Sequence, residues 1–379
     1  MGGRRDTDMP LREKRALYQR AACMCEFSGC AEPLFFDLIS GETVNNAQLA
    51  HIIPSSANGP RSLEDDGAYN VDDPENRILL CRKHHELVDA DETFYDCALL
   101  RDMKRAHETK VAGLMKAMKA DAAYPLICTS KIKGETSPFV SDAQVNQAAV
   151  SNGHPLLQAT PERITVDSEI EYATNQYWEK QSEKLVHRVD AFLEDVRSKG
   201  QNLRLAIFPI GPIPLIAKLG SLLTNTLQLD VFPKLRNPES WCWQEAGETN
   251  IFRSEWLKKD RGSNGRVALI MSISDNIGSR VLEEVSFDGI PVCHILAQRA
   301  ALDPIRTKAD LRGFDDNLYE VIGNIQNEYG SDIEVDVYPA ISNVAAFSVG
   351  YKHMPQVHPK MNIYENLGKT WRYALSIGG

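Results

Sequence analysis

The residues best suited to hold a metal ion are three cysteines and one histidine near the start of the chain. Cys25 and Cys30 form a C-x4-C pair, and Cys81 and His84 form a C-x2-H pair about fifty residues later. Two short pairs far apart in sequence are typical of a tetrahedral zinc site that closes a small domain. Cys23 could replace Cys25 in a C-x6-C pair. The alternative is a set of reduced core cysteines beside a surface histidine.

A second group of residues has the types needed for catalysis. His51 stands in a short apolar, strand-like run that Pro54 ends. Asn76 precedes another apolar run, and His85 directly follows His84. Adjacent helical residues point about 100° apart, so His84 and His85 are expected to face different sites.

These side chains favour metal-assisted phosphodiester hydrolysis. A neutral His51 could take a proton from an attacking water, and a divalent metal held partly by His85 would stabilise the charge that develops on the phosphate. The alternative for His51 is a structural core histidine. The presence of Asn76, His85 and the two metal-binding pairs at these spacings makes that alternative less favoured.

Together these positions resemble the HNH family of ββα-metal nucleases with a zinc knuckle, over residues 20 to 95. The resemblance implies that His51 is the general base and that Asn76 fixes the loop that orients it. It also implies that His85 binds the catalytic metal, which is usually magnesium or a similar ion.

The sequence departs from the HNH pattern at one position. Many HNH enzymes carry an aspartate directly before the first histidine as a second metal ligand, whereas this chain has Ala50. Asp37, on the preceding apolar stretch, is a candidate replacement, and water could fill other positions of a hard cation.

The rest of the chain is expected to form a separate α/β region. A helical pattern from Cys97 to Ala120 ends the first domain, and residues 129 to 161 are rich in Ser, Thr, Asn, Gly and Pro, which predicts a linker. Helical spacing of apolar residues resumes at Trp178. Strands alternating with helices predict a parallel sheet covered on both faces. The predicted buried strands are residues 203–210, 267–273, 291–296 and 333–338.

Two segments of this region match each other. Phe208 opens FPIGPIPLIAKLG and Tyr338 opens YPAISNVAAFSVG, and in each a glycine stands twelve residues after the aromatic residue. Either two βα turns share ordinary packing requirements, or a Rossmann-like unit is duplicated. In doubly wound sheets, ligands bind beyond the carboxyl ends of strands, beside helix N-termini that attract phosphate. Two such turns facing each other would suit a cyclic dinucleotide, which has two phosphates.

Candidate ligand contacts follow from these two turns, because free backbone N–H groups and small polar side chains suit phosphate and ribose. Lys352 could neutralise charge. Tyr177 and Trp178 are candidate base-stacking platforms, although an aromatic pair that opens an amphipathic helix is more often part of a core. The turn residues are Pro209, Ile210, Gly211, Ser342 and Asn343.

The C-terminal region resembles the SAVED domain of CBASS anti-phage systems, through FPIGPIPLIAKLG, ALIMSIS and VYPAISNVAAFSVGYKHMP with NIYEN. An HNH domain followed by SAVED is similar to one class of CBASS effector. That resemblance implies capture of a cyclic oligonucleotide second messenger and assembly from a dimer into a tetramer or larger homo-oligomer. It further implies degradation of double-stranded DNA by the HNH domains.

The expected fold is therefore an α/β multidomain protein. It comprises a small zinc-stabilised ββα-metal (HNH) domain at residues 1–120, a linker at 121–160, and a Rossmann-like, internally duplicated SAVED domain at 161–379. The expected cofactors are a structural Zn²⁺, a catalytic Mg²⁺ or similar divalent ion, and a cyclic di- or trinucleotide as activator.

Composition is that of a globular protein, with 43% hydrophobic and 25% charged residues. No run of about 18 apolar residues and no signal-like start occur, so we expect a cytoplasmic protein without a membrane partner. The net charge of -10 argues against a protein that coats nucleic acid. Two rival functions remain: a restriction-type HNH endonuclease whose C-terminal domain reads DNA, and a non-catalytic zinc module that docks on DNA or a partner.

Overall fold

The computed structural model of the chain divides into two compact units, residues 1–119 and 120–379. None of the helices in the described part of the chain is long and apolar enough to span a membrane. The structure describes residues 9–37, 39–54, 61, 73–117, 122–133, 138–154, 156, 160–198, 204–223, 228–245, 247, 249–259 and 264–378.

The first unit is built on an antiparallel strand pair followed by helices. Its elements are α1 (Leu11–Arg20), β1 (Ala47–His51), a 3₁₀ turn (Pro74–Asn76), β2 (Arg77–Cys81), α2 (Arg82–Ala90) and α3 (Cys97–Ala117). His51 pairs with Arg77 across the two strands. β2 is buried along its whole length and packs against Val88 of α2 and Leu100 of α3. The ββα order and the helix from Cys97 agree with the sequence prediction.

The second unit is larger and alternates strands with helices. Its elements are β3 (Ala123–Thr129), α4 (Asp142–Ser151), β4 (Glu162–Thr165), α5 (Asn175–Ser198), β5 (Arg204–Ile210), α6 (Ile213–Leu222), β6 (Gln228–Val231), β7 (Leu235–Arg236), β8 (Glu239–Ser240), β9 (Phe252–Lys258), β10 (Arg266–Ser272), α7 (Gly278–Glu284), β11 (Val292–Ala297), α8 (Lys308–Tyr329), β12 (Glu334–Ala340), α9 (Asn343–Lys352), β13 (Met361–Asn366) and β14 (Trp371–Ile377). The four predicted buried strands correspond to β5, β10, β11 and β12.

The two halves of the second unit share one order of elements. The first half runs β3–α4–β4–α5–β5–α6–β6, and its parallel sheet has the strand order β4-β3-β5-β6. The second half runs β10–α7–β11–α8–β12–α9–β13, with the corresponding parallel order β11-β10-β12-β13. The antiparallel strands β9 and β14 extend this second sheet at its edges. The strands predicted to form a parallel sheet are therefore divided between two sheets, and one of these has antiparallel edges.

Helices α5, α6, α8 and α9 lie between the two sheets. Their apolar faces share one core with residues of both sheets, such as Ile207 of β5 and Leu269 of β10. α4 packs on the outer face of the first sheet, and α7 packs on the outer face of the second. Both sheets are thus covered on both faces, which explains why their central strands are continuous apolar runs.

Part of the segment expected to be a linker is instead built into the first sheet. β3 is buried at every residue and pairs with both β4 and β5. α4 begins with a capping box in which Ser141 and Gln144 bond to each other's backbone N–H groups. The linker prediction for residues 121–160 is therefore wrong for β3 and α4, because polar residues such as Ser141 act here as helix caps.

Helices α6 and α9 cross with their backbones in contact. A Cβ on Gly220 would lie 2.1 Å from the carbonyl oxygen of Phe347, and a Cβ on Gly350 would lie 1.8 Å from that of Ala217. These two glycines occupy equivalent positions in the matching segments. Gly220 contacts Phe347, three residues before Gly350, and Gly350 contacts Ala217, three residues before Gly220. Only glycine permits this reciprocal approach of the two helices.

Candidate functional site

Three cysteines and one histidine come together in the first unit. The ligand atoms of Cys25, Cys30, Cys81 and His84 all lie within 4.8 Å of one another. Nδ1 of His84 is 3.2 Å from Sγ of Cys81 and 3.6 Å from Sγ of Cys25. Cys23 is exposed and lies outside the cluster. This donor set is compatible with zinc.

The surroundings of the cluster fit a bound cation. Burial raises the pKa of the Cys25 thiol to about 12, and burial also raises the pKa of Cys81. The ring of His84 stacks on Phe27, with centroids 4.0 Å apart, and burial lowers the pKa of this imidazole. A dication would compensate the thiolate charge that burial otherwise disfavours, and it would bind a neutral imidazole.

The ββα elements also position the predicted catalytic residues. His51 ends β1, and His85 lies in the first turn of α2. Asn76 is fully buried: its Nδ2 donates to the Ile53 carbonyl at 2.8 Å, and its Oδ1 accepts the Ile53 N–H at 2.8 Å. These two bonds hold the backbone two residues beyond His51.

His84 and His85 have different neighbours, as their positions on a helix require. His84 belongs to the cysteine cluster, whereas Nδ1 of His85 lies 3.7 Å from Oδ2 of Asp89, one turn further along α2. Both side chains of the latter pair are about one-third exposed, at 33% and 34%. Asp89 is thus a carboxylate beside His85 that was not singled out in the sequence.

The second metal ligand of the HNH pattern is not supplied by the candidate replacement, Asp37. Asp37 is exposed, and its Oδ1 accepts the backbone N–H groups of Ile39 and Ser40 at 3.0 and 2.8 Å, bonds that lower its pKa. No metal cluster among the described residues includes Asp37. Ala50 is 3% exposed within the hydrophobic core. The structure therefore gives no support to Asp37 as the replacement ligand.

A cavity of about 290 Å³ lies at the carboxyl ends of strands in the second unit. Residues 210–213, which begin with the last residue of β5, and residues 341–344, which follow β12, both line it. Nδ2 of Asn343 donates to the carbonyl oxygen of Gly211 at 2.8 Å and joins the two turns. The structure thus brings Ile210, Gly211, Ser342 and Asn343 to one site, whereas Pro209 lies within β5 and outside its lining.

Two helices begin at this cavity without a side-chain cap. The N-cap residue of α6 is Pro212, and that of α9 is Ser342, whose side chain makes no capping bond. Oγ of Ser342 is buried and has no hydrogen-bond partner among the described residues. Unsatisfied N–H groups and the helix dipole attract anions, so the start of α9 suits a phosphate. The start of α6 has the same dipole but fewer donors, because Pro212 and Pro214 have no N–H.

Charged side chains surround the two turns. Oδ2 of Asp303 accepts the backbone N–H groups of Arg236 and Asn237 at 2.9 and 3.1 Å, so this carboxylate has a structural role. Lys234 pairs with Glu239 and lies 5.4 Å from the centre of the Trp241 ring. The charged residues of the cavity wall are Lys133, Lys234, Arg236, Asp303 and Glu365.

Glu365 is a buried acid of this wall, with 9% of its surface exposed. The Tyr172 hydroxyl donates to its Oε1 at 2.7 Å. Burial raises the pKa of Glu365 to about 7, although the bond from Tyr172 and the charge of Lys133 oppose that rise. Partial protonation near neutral pH reduces the negative charge at the cavity.

Besides Pro209, three of the predicted ligand contacts lie outside the cavity wall. Tyr177 and Trp178 are core residues with 4% and 1% exposure, so neither ring offers a free face for stacking. Tyr177 packs against Tyr172 behind the cavity wall. Lys352 ends α9, whereas the cavity lies at the start of that helix, and Lys352 lines a different pocket beside Asp315.

The cavity also contains cations that sequence reasoning missed. Lys133 follows β3, and reading AYPLICT as a strand would have placed it at the carboxyl edge of a sheet. Lys234 and Arg236 follow β6, the counterpart of β13. Their positions follow from the repeated topology, and no local motif marks them.

Comparison with known protein families agrees with this division of the chain. Residues 187–377 match SAVED, the "SMODS-associated and fused to various effectors sensor domain" family. Residues 25–92 match the HNH endonuclease family. The first match covers half of the chain, which therefore belongs to the SAVED family of sensor proteins. With the HNH domain ahead of its sensor, the chain has the organisation of an HNH–SAVED effector.

Several solved structures are similar to the chain. The Acinetobacter baumannii Cap4 SAVED/CARF-domain containing receptor with 2'3'3'-cAAA is 10% identical, with a TM-score of 0.43. The same receptor with 3'3'3'-cAAA is 11% identical, also with a TM-score of 0.43. Both alignments cover 81% of this chain and 64% of the receptor, so the chain spans less than two thirds of its length. The Moraxella osloensis Cap4 receptor is 10% identical over 82% of this chain and 66% of its own, with a TM-score of 0.40. No protein of curated function matches this sequence.

Proposed function

We propose that this protein is an endonuclease that a cyclic oligonucleotide activates to degrade double-stranded DNA in bacterial anti-phage defence. One observation carries the proposal: the N-termini of α6 and α9, neither with a side-chain cap, meet at one cavity of the SAVED domain, in a chain that also carries an HNH domain. The wall of that cavity holds three cations and two acids. Two N-termini at one cavity suit two phosphates of one ligand.

The cavity would receive part of a cyclic di- or trinucleotide. Its 290 Å³ is at the lower end of the range of about 300–1,000 Å³ for small-ligand sites. The remainder of such a ligand would lie across the mouth of the cavity, where Lys133 and Arg236 are exposed. Ser342 would donate its buried hydroxyl to a phosphate or ribose oxygen.

We also infer that the sensor is an internal duplication of a Rossmann-like unit. The shared order of elements, the shared strand order and the reciprocal contact of Gly220 and Gly350 support this inference. Each half then contributes one βα turn to the cavity, so the ligand would bind between the two copies.

In the HNH domain, His51 would act as general base and take a proton from the attacking water. Asn76 would hold the backbone beside His51, through its two bonds to Ile53. His85 would bind Mg²⁺ or a similar divalent ion. When bound, that ion would stabilise negative charge on the phosphate and the leaving oxygen.

A zinc ion would have a structural role at the cluster of Cys25, Cys30, Cys81 and His84. The cluster joins the loop after α1 to the junction of β2 and α2. His85 follows the last ligand directly, so a zinc ion there would also fix the start of the helix that carries the catalytic metal ligand.

Activation would follow from assembly of a homo-oligomer, from a dimer into a tetramer or larger. A ligand shifts such an equilibrium only as far as it prefers the assembled state. Paired HNH domains could then cut both strands of DNA.

The proposal is tested by plasmid cleavage in Mg²⁺, with and without cyclic di-AMP, cyclic di-GMP and cyclic tri-AMP. We expect cleavage only with one of these ligands and its loss in His51→Ala. His107→Ala serves as a matched control, because His107 bonds to the Ala21 carbonyl in the same unit. Cleavage without any ligand would favour a restriction-type enzyme, and no cleavage under any condition would favour the non-catalytic zinc module.

A further inference from the structure

A buried arginine connects the two elements that carry the predicted catalytic histidines. The side chain of Arg61 is 2% exposed. Its Nε donates to the Ile52 carbonyl at 3.0 Å, and its Nη2 lies 3.4 Å from the His51 carbonyl. On the other side, Nη1 donates to the Val88 carbonyl at 2.8 Å, and Nη2 donates to Oδ1 of Asp89 at 3.1 Å. One guanidinium thus bonds both to the end of β1 and to α2.

Asp89 extends this connection to His85. Its Oδ1 accepts from Arg61, while its Oδ2 lies 3.7 Å from Nδ1 of His85. A histidine that binds a metal commonly donates its other ring N–H to a carboxylate, which fixes the orientation of the ring. With Nδ1 facing Asp89, Nε2 is the nitrogen left for a metal ion.

Because Arg61 is buried, its role differs from that of an arginine that binds DNA. Each nitrogen of its guanidinium donates to a protein oxygen, and its backbone N–H donates to Oε2 of Glu92 at 2.7 Å. A phosphate contact needs an exposed, available donor, which this side chain does not offer. The fork of an arginine can satisfy several fixed acceptors at once, and a lysine cannot reproduce that geometry.

We propose that Arg61 and Asp89 are positioning residues of the nuclease site. Arg61 fixes the backbone of His51 relative to α2, and Asp89 sets the ring orientation of His85. This inference rests on the proposed nuclease function. Catalytic groups misplaced by about 1 Å can lose on the order of 100-fold in rate, so the connection should matter for turnover more than for DNA binding.

The test uses full-length Arg61→Lys and Asp89→Asn in plasmid cleavage with Mg²⁺ and whichever of cyclic di-AMP, cyclic di-GMP and cyclic tri-AMP activates the wild type. We expect kcat to fall at least tenfold in each variant, while KM for the plasmid stays within twofold. Glu108→Gln is the matched control, because Glu108 pairs at 2.9 Å with Lys104, a similarly buried cation. We expect this control to keep wild-type kcat.

A second measurement does not depend on cleavage. Mn²⁺ binding, followed by electron paramagnetic resonance, should weaken about tenfold in Asp89→Asn, as is typical when a partner of a metal ligand is lost. Zinc content and melting temperature, measured on the same samples, should remain at wild-type values in Asp89→Asn.

The outcomes separate this inference from the proposed function. A wild type that never cleaves, together with weaker Mn²⁺ binding in Asp89→Asn, would refute the nuclease proposal and support the link to His85. An active wild type with unchanged kcat in both variants would overturn the inference. Complete loss of Mn²⁺ binding in Asp89→Asn would indicate that Asp89 is itself a metal ligand. A fall in kcat that is accompanied by a fall in zinc content or melting temperature would indicate that both residues are structural. Either result overturns the positioning role.

Discussion

The crossing of α6 and α9 predicts that neither Gly220 nor Gly350 tolerates a methyl group. In Gly350→Ala the new Cβ would lie 1.8 Å from the Ala217 carbonyl oxygen and 2.7 Å from the Ser221 nitrogen. In Gly220→Ala the nearest atom, the Phe347 carbonyl oxygen, would be 2.1 Å away. These are backbone atoms, so no change of rotamer relieves the overlap and the helices must separate.

The expected loss of stability follows from the size of this overlap. Inserting one methylene into a packed core usually costs about 1–3 kcal/mol, and occasionally more. Here the overlap exceeds 1 Å against rigid backbone, so we expect about 3 kcal/mol or more for Gly350→Ala. The higher helix propensity of alanine would offset this loss of stability by at most about 1 kcal/mol. A net loss of this size is a large part of the ~5–15 kcal/mol that stabilises a typical domain.

Urea unfolding followed by tryptophan fluorescence measures this effect on the second unit alone, because all five tryptophans follow residue 177. Gly323→Ala is the matched control, since Gly323 lies within α8 and a Cβ there meets no atom within 4 Å. We expect Gly323→Ala to raise the unfolding midpoint and Gly350→Ala to lower it. Equal midpoints for Gly350→Ala and the wild type would refute the close crossing of the helices.

Three further predictions concern other parts of the chain. A chain starting at residue 161 lacks β3 and should aggregate, whereas one starting at residue 122 should unfold cooperatively in urea. Cys30→Ser should lower the zinc content measured by atomic emission, together with the melting temperature of the first unit; unchanged zinc would contradict the cluster. The folded pKa of Glu365 is raised to about 7, so its contribution to stability is complete below the ordinary value of 4.5 and is lost as pH rises through 7. Between pH 5 and 8 the wild type should therefore lose more stability, measured by urea unfolding, than Glu365→Gln. Equal losses would contradict the raised pKa of the buried Glu365 carboxyl.

The cluster of Cys25, Cys30, Cys81 and His84 could be predicted because each of its two pairs is close in sequence. Cys81 and His84 are separated by less than one helical turn, and β1 and β2 form the simplest antiparallel pair. That His84 and His85 face different neighbours follows from helix geometry alone. Arg61 could not be predicted in this way, because its partners lie on two elements and only the fold brings them together.

The second unit was harder to predict because its first half has weak local signals. β3 carries Pro125, which pairs opposite Ala206, although proline is unusual in a central strand because it lacks an N–H donor. The pairing of β3 with both β4 and β5 overrides that preference, since every residue of the strand is buried. Sequence patterns around the two βα turns were stronger, and those turns do meet at one cavity.

The repeated topology also bears on where the sensor begins. The SAVED match starts at residue 187, within α5, whereas the first half of the repeat starts at β3. The cavity takes Lys133 from the segment before the match, Gly211 from the first half and Ser342 from the second. A segment limited to residues 187–377 would therefore lack β3, which lies between β4 and β5 in the first sheet. It would also lack Lys133, one of the cations of the cavity wall. We therefore expect the smallest chain that binds the proposed cyclic oligonucleotide to begin at about residue 122, ahead of β3.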